Sequence, residues 1–135
     1  MMKILLLIVV MLNLSLLGVA QTLSLVEMAD MPGNILETSG VESSSPNEIW
    51  THNDSGNPAE LYLIDTLGNV IRTLTIVGAE NADWEDIARD NDGNLYIGDF
   101  GNNGNWRQNL VIYILPPPDT FATDSIPVDT IAFHY

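Results

Sequence analysis

Apolar and polar residues alternate along most of the chain after residue 22, in short runs that turn residues separate. Alternation over about four to eight residues predicts β-strands with one buried face. No stretch keeps the period of about 3.6 residues that an amphipathic helix needs. The sequence therefore predicts an all-β fold, with strands at residues 23–28, 38–42, 48–52, 61–65, 70–76, 85–89, 94–99, 110–115 and 128–133.

Turn residues predict how some of these strands connect. The segments TLGN (66–69) and NDGN (91–94) each carry a glycine that can take the positive φ of a tight hairpin. The run PPP (116–118) lacks backbone donors, so it cannot continue a strand ladder. We expect an exposed connection there, continuing through residues 119–127.

The strands fall into an internal repeat. A shift of 46 positions sets ETSGV (37–41) on DWEDI (83–87), IWT (49–51) on LYI (95–97) and NDSGN (53–57) on DFGNN (99–103). After a small insertion, LYL (61–63) meets VIY (111–113). A period in the forties with four short strands per unit is typical of a β-propeller blade. We predict a partial β-propeller over residues 21–135, with one blade at about 37–76 and a second at about 83–133.

Two blades do not close a propeller, which takes about four to eight. An open pair would leave sheet faces and a strand edge unprotected. We therefore expect either a longer propeller of which this chain is the N-terminal part, or several copies that assemble into a ring. The first alternative is favoured, because known propellers need more blades to protect their edges.

The first twenty residues form a separate segment. A short positive start (MMK) precedes an apolar run at 4–17, which only Asn13 and Ser15 interrupt, and the small residues GVA follow at 18–20. This order predicts a secretory signal cleaved after Ala20. The alternative is a transmembrane anchor, but the run is shorter than the roughly 20 residues that a span needs. We expect a secreted protein, periplasmic, cell-surface or extracellular, without a membrane span after cleavage.

Composition limits the partners. The chain has 18 Asp and Glu residues against four Lys and Arg, a formal net charge of −14. Phosphate backbones and anionic membranes would repel it, so nucleic acid is not expected as a partner. Cations or cationic surfaces suit it better. The chain has no cysteine, which excludes disulfides, thiolate metal sites and a cysteine nucleophile.

Carboxylate and amide side chains recur at equivalent positions of the two repeats, where propeller loops crown a central channel. Such oxygens suit Ca²⁺, which takes about six to eight of them. The alternative is ordinary turn chemistry. Strand alternation directs Asp86 away from Glu85, so Asp86 is expected to cap a turn or bind Arg107. The candidate metal ligands are Asn53, Asp54, Asp83, Glu85, Asp99, Asn102 and Asn103.

Three tryptophans and one histidine complete the candidates. Trp50 and Trp84 occupy strand positions that predict packing between blades. Trp106 lies beside Arg107 in a polar loop at 102–109, and we expect these two residues at a surface that binds an extracellular ligand or a glycan. His52 is expected to be a structural hydrogen-bonding residue behind the metal site. It could act as an acid or base only if it faces the channel.

Three motifs together with Arg107 carry a resemblance to a family. WTHNDSG (50–56), DWEDIA (83–88) and IGDFGNN (97–103) resemble segments of secreted bacterial β-propellers, including many from Bacteroidetes. They are more loosely similar to the SdiA-regulated and phytase-like esterase propellers, some of which hold calcium. The resemblance covers about residues 37–117, and it implies a propeller fold and, as in some of these proteins, a calcium site.

Two functions are therefore expected. The first is a calcium-binding, non-catalytic extracellular module whose loops bind a partner or glycan. The alternative is a calcium-dependent hydrolase of phosphoesters, esters or lactones, in which the metal polarises the substrate and Asp99, Glu85 or His52 is the base. No pair of base and nucleophile stands out, which favours the first.

Overall fold

The computed structural model describes residues 23–134; the predicted signal segment at 1–20 lies outside this range. The described residues form nine strands and no α-helix, so the prediction of an all-β fold is confirmed. The strands are β1 (Thr38–Ser45), β2 (Glu48–Asn53), β3 (Glu60–Asp65), β4 (Val70–Val77), β5 (Trp84–Arg89), β6 (Leu95–Asp99), β7 (Leu110–Leu115), β8 (Ser125–Pro127) and β9 (Asp129–Phe133), with a 3-10 turn at Pro118–Thr120.

Eight of the nine predicted strands correspond to β1 to β7 and β9. The predicted strand at 23–28 is wrong, since these residues have no ladder partner and their side chains are exposed. Leu25, for example, is fully exposed. The two predicted hairpins, β3–β4 and β5–β6, are present.

The strands form two sheets. The first has the order β1-β2-β3-β4-β8 and the second the order β5-β6-β7-β9. Neighbouring strands are antiparallel except for β8, which runs parallel to β4 at the edge of the first sheet. Each sheet is thus built on a meander of consecutive strands, as the repeat predicts.

The 46-residue repeat is preserved in the strand pairing. Thr38 pairs with Asn53 in the first sheet, and Trp84 pairs with Asp99 in the second. In both sheets the register is irregular directly after this pair. The first two strands of the two sheets are therefore equivalent residue by residue.

The alignment of the third strands is corrected by one residue. Trp50 pairs with Leu63, and its repeat equivalent Tyr96 pairs with Ile114. Leu63 thus corresponds to Ile114, whereas the sequence alignment matched it to Tyr113. Because side chains alternate between faces, an error of one residue assigns every side chain of a strand to the wrong face.

The main core lies between the two sheets. The fully buried rings of Trp50 and Trp84 lie at its centre, as predicted. The other buried members are Leu61, Leu63, Leu74, Ile76, Ile87, Leu95, Ile97, Tyr113, Leu115 and Ile126. Strands β1 and β5 lie side by side, and Ser39 Oγ donates to the carbonyl of Glu85 at 3.1 Å. Burial of these large apolar side chains holds the sheets face to face.

The connection after β7 is exposed at most of its residues, as the sequence predicts, but two of its side chains pack into the fold. Pro118 is buried, and Ile126 of β8 is fully buried in the core. Arg72 of β4 holds the segment by donating to the carbonyls of Pro118, Phe121 and Thr123 at 2.7–3.1 Å. The connection therefore extends the first sheet.

The segment before β1 covers part of the opposite face of the first sheet. Ile35 is buried there against Tyr62 and Ile64. The carbonyl of Asp30 lies against Gly68, whose φ of +80° suits the turn. In the part of the chain described, no helix is long and apolar enough to cross a membrane.

Candidate functional site

Three carboxylates from the two repeats lie near one another where the sheets adjoin. Asp54 follows β2 of the first sheet, and Asp83 and Glu85 lie at the start of β5. Burial raises the pKa of Glu85, and the negative charges of Asp83 and Asp54 raise it further. We call these three residues the acidic corner. All three are among the candidate metal ligands that the sequence analysis selected.

Gly101 forms one wall of the acidic corner. A Cβ on Gly101 would overlap the carboxylates of Asp83 and Glu85, so only glycine allows both to approach its backbone. The Gly101 N–H also donates to the carbonyl of Asp83 at 3.0 Å. This contact fixes the loop after β6 against the start of β5.

Asp99 lies behind the corner in a buried ion pair. Arg107 Nη2 contacts Asp99 Oδ1 at 2.9 Å, and both side chains are about 5% exposed. The same oxygen accepts the N–H of Asp83 at 2.9 Å. In the first sheet the equivalent Asn53 accepts the N–H of Glu37 at 3.3 Å. Asp99 and Asn53 thus hold the backbone that leads into the first strand of each sheet.

Arg107 points inward. Its Nη1 donates to the carbonyl of Gly101 at 2.9 Å, and its ion-pair partner is Asp99, not Asp86. The exposed Asp86 accepts the N–H of Ile87 at 2.9 Å through its own carboxylate. The sequence grouped Arg107 with Trp106 at a ligand surface, but the structure places only Trp106 in solvent, with 76% of its surface exposed.

Asn102 organises the loop that carries Trp106. Its Oδ1 accepts the N–H groups of Trp106 and Arg107 at 2.9 and 2.8 Å, and its Nδ2 donates to the carbonyl of Arg107 at 3.2 Å. Both ends of the Asn102 amide are therefore engaged within the loop. Asn103, the next candidate ligand, is exposed.

His52 is fully buried between the sheets. Its ring meets Trp84 edge to face at 5.4 Å between centroids, and its Nδ1 lies 3.1 Å from the carbonyl of Asn53. Its Nε2 has no hydrogen-bond partner among residues 23–134 and faces the backbone at Gly40. Burial lowers the pKa of His52. A neutral, enclosed imidazole fits the structural role expected for it.

Sequence reasoning missed Asn81, which joins the two repeats. Its Nδ2 donates to the carbonyls of Asn53 and Asp54 at 3.0 and 2.9 Å, while its Oδ1 accepts the N–H of Trp84 at 3.2 Å. The one signal was an amide side chain just before the DWEDIA motif. Asn81 thereby fixes Asp54 against the start of β5.

The described residues hold no group of three or more His, Asp or Glu side chains in an arrangement that could hold a metal ion. The acidic corner supplies carboxylates near one another, but these are not gathered into a coordination shell. Closure around an ion would need side-chain rotation or further oxygen ligands.

No family model, curated protein or solved structure matches the chain.

Proposed function

We propose that the two sheets are consecutive blades of a β-propeller secreted by a bacterium, and that the protein is a non-catalytic extracellular binding module. The observation that carries this proposal is the equivalent pairing of Thr38 with Asn53 and of Trp84 with Asp99, one repeat apart. Equal register in adjacent face-packed sheets is what successive propeller blades require.

The free face of the second sheet supports further blades. Tyr96 and Ile114 lie on this face, at the positions that Trp50 and Leu63 occupy in the first sheet. Trp50 and Leu63 are buried against the second sheet, whereas Ile131 on the free face is 49% exposed. A third sheet would cover this face in the same way, whether it comes from the same polypeptide or from another copy.

We further propose that the acidic corner binds Ca²⁺. Partial desolvation of Glu85 and the negative charges of Asp83 and Asp54 disfavour its charged form and raise its pKa. A divalent cation would relieve this repulsion, and carboxylate oxygens are its preferred ligands. Rotation of these side chains and further oxygens would be needed to complete the shell.

The hydrolase alternative is less well supported by the geometry. Two of its three candidate bases, His52 and Asp99, are buried, and Asp99 is already paired with Arg107. Glu85 alone is exposed. A general base must reach the proton that it removes, directly or through one water.

Calorimetric titration of the secreted protein with Ca²⁺ tests the cation site. We expect the wild type to bind Ca²⁺. Glu85→Gln should bind it at least about tenfold more weakly, because one charged ligand is removed. The affinity of Asp119→Asn should be unchanged, because Asp119 is an exposed acid in another loop. Equal affinity in all three proteins, or no binding, would refute the calcium proposal.

Electron microscopy of the same material tests the proposal that the sheets are propeller blades. A closed disc supports this proposal, and an isolated two-sheet particle refutes it.

A further inference from the structure

Trp106 is the one tryptophan that faces solvent. Two of the three tryptophans, Trp50 and Trp84, are fully buried in the core, whereas Trp106 is 76% exposed. Because this large apolar ring stays in solvent, its burial does not contribute to the stability of the fold. Exposed tryptophans are enriched where proteins bind partners or ligands.

The loop holds the backbone of Trp106 in place. Asn102 accepts the N–H groups of Trp106 and Arg107. Arg107 is in turn fixed by the buried carboxylate of Asp99 and by the carbonyl of Gly101. A ring presented from a fixed backbone loses less conformational entropy on binding, so the site is preorganised.

Gly104 sets the position of the indole. A Cβ on Gly104 would overlap the five-membered ring of Trp106, so the ring lies over the bare backbone of this residue. Asn105 between them has a φ of 54°, which turns the chain back on itself. One side of the indole is therefore supported by the loop, and most of the remaining surface is open.

The loop at 102–109 that carries Trp106 is polar and has little charge of its own. Between Asp99 and Asp119 the only charged residue is Arg107, which is buried. The exposed side chains of the loop are amides, namely Asn103, Asn105, Gln108 and Asn109. An amide both donates and accepts hydrogen bonds, which matches hydroxyl groups.

We propose that the loop at 102–109 binds a neutral saccharide, with the C–H face of a pyranose ring stacked on the Trp106 indole. The hydroxyl groups at the ring edge then bond to the side-chain amides around it. The net charge of −14 disfavours acidic glycans. This inference rests on the proposed role as an extracellular binding module and names the ligand class of that module.

The test titrates the secreted protein with cellotetraose, mannotetraose and N-acetylchitotetraose, followed by tryptophan fluorescence and calorimetry. Because Trp50 and Trp84 are buried, a change in acrylamide quenching reports on Trp106. We expect binding of at least one sugar, reduced at least about tenfold in Trp106→Ala. Gly104→Ala should weaken binding by displacing the indole. Leu67→Ala is the matched control, because Leu67 is also 76% exposed and lies in another turn.

Several outcomes overturn the inference: no binding of any of the three sugars, equal binding in Trp106→Ala, or a Trp106→Ala effect on self-association alone in sedimentation. The last would assign Trp106 to a protein interface. Titration of the same samples with Ca²⁺ separates the two proposals. Sugar binding without calcium binding leaves this inference standing, and calcium binding without sugar binding overturns this inference alone.

Discussion

At the scale of single residues, the two repeats form an equivalent backbone hydrogen bond with different side chains. Asn53 and Asp99 both accept the N–H that precedes the first strand of their sheet. The neutral amide needs no counter-charge, but the buried carboxylate does, and Arg107 provides it. A buried charge without a partner is strongly unfavourable.

Arg107→Met should therefore lower the free energy of unfolding by about 3–5 kcal/mol, because it leaves Asp99 charged and buried. Urea denaturation measures the loss. The double variant with Asp99→Asn should recover most of it, since Asn is the residue that the first repeat uses at this position. Asp124→Asn, which breaks the exposed ion pair with Arg72, is the control and should cost at most about 1 kcal/mol. If the double variant is no more stable than Arg107→Met, the buried charge is not the cause.

At the scale of elements, two hairpin turns are held by the same hydrogen-bond pattern. In the β3–β4 hairpin, Asp65 Oδ1 accepts the N–H groups of Leu67 and Asn69. In the β5–β6 hairpin, Asp90 Oδ1 accepts those of Asp92 and Asn94. These local hydrogen bonds explain why turn residues alone located both hairpins. They also lower the pKa of Asp65 and of Asp90, with the bond from the Asn69 or Asn94 side chain contributing most.

Strand β8 depends instead on a distant side chain. Arg72→Met should release the segment at 118–127 from the edge of β4, because three carbonyls lose their charged donor. We expect faster amide hydrogen exchange at Thr75, whose N–H donates to the carbonyl of Asp124 at 2.8 Å. A loss of about 2 kcal/mol in unfolding free energy should accompany it.

Asp124→Asn is the control for this element too, since it removes the exposed ion pair but leaves the carbonyl contacts of Arg72. Exchange at Thr75 should stay slow in that variant. Slow exchange in Arg72→Met as well would mean that burial of Ile126 alone holds β8.

At the scale of the whole molecule, a few polar groups connect the sheets across the apolar core. Asn81 binds carbonyls of the first repeat and the backbone of Trp84. Tyr113 accepts the N–H of Glu80 at 3.2 Å. His52 of the first sheet packs on Trp84 of the second. The stability of the two sheets should therefore be coupled.

His52 gives this coupling a pH dependence. The pKa of His52 lies below the ordinary value of 6.5 because burial disfavours the charged ring. The backbone carbonyls of Asn53 and Asp86 raise this pKa, as do the carboxylates of Asp86 and Asp54, but they offset the effect of burial only in part. The unfolded state therefore binds a proton more readily than the folded state. Stability is complete above pH 6.5 and falls as the pH drops through the folded pKa, by about 1.4 kcal/mol per unit of lowering.

Urea denaturation at several pH values between about 5 and 8 measures this dependence. His52→Gln should flatten the decline below pH 6.5, and the exposed His134→Gln should not. An identical decline in wild type and His52→Gln would assign the effect to carboxylates instead. A single transition, followed by both far-ultraviolet circular dichroism and tryptophan fluorescence, would confirm that the sheets unfold together.

The sequence determined eight of the nine strands, the two hairpins and the repeat, because each depends on local information. Side chains alternate along a strand whatever lies beside it, and glycine permits a tight turn wherever it occurs. The burial of Trp50 and Trp84 followed from their positions in that alternation. Residue type also selected Asp54, Asp83 and Glu85 as candidate ligands.

Only the tertiary structure decided which partner each polar group found. Asp99 pairs with Arg107, Asn81 joins the repeats, and Arg72 draws β8 into the first sheet. The one-residue offset between the third strands of the two repeats is also a tertiary feature, because the loops before these strands differ in length. Hydrogen-bond partners far apart in sequence depend on the paths of the loops between them, and alternation of side chains contains no information about those paths.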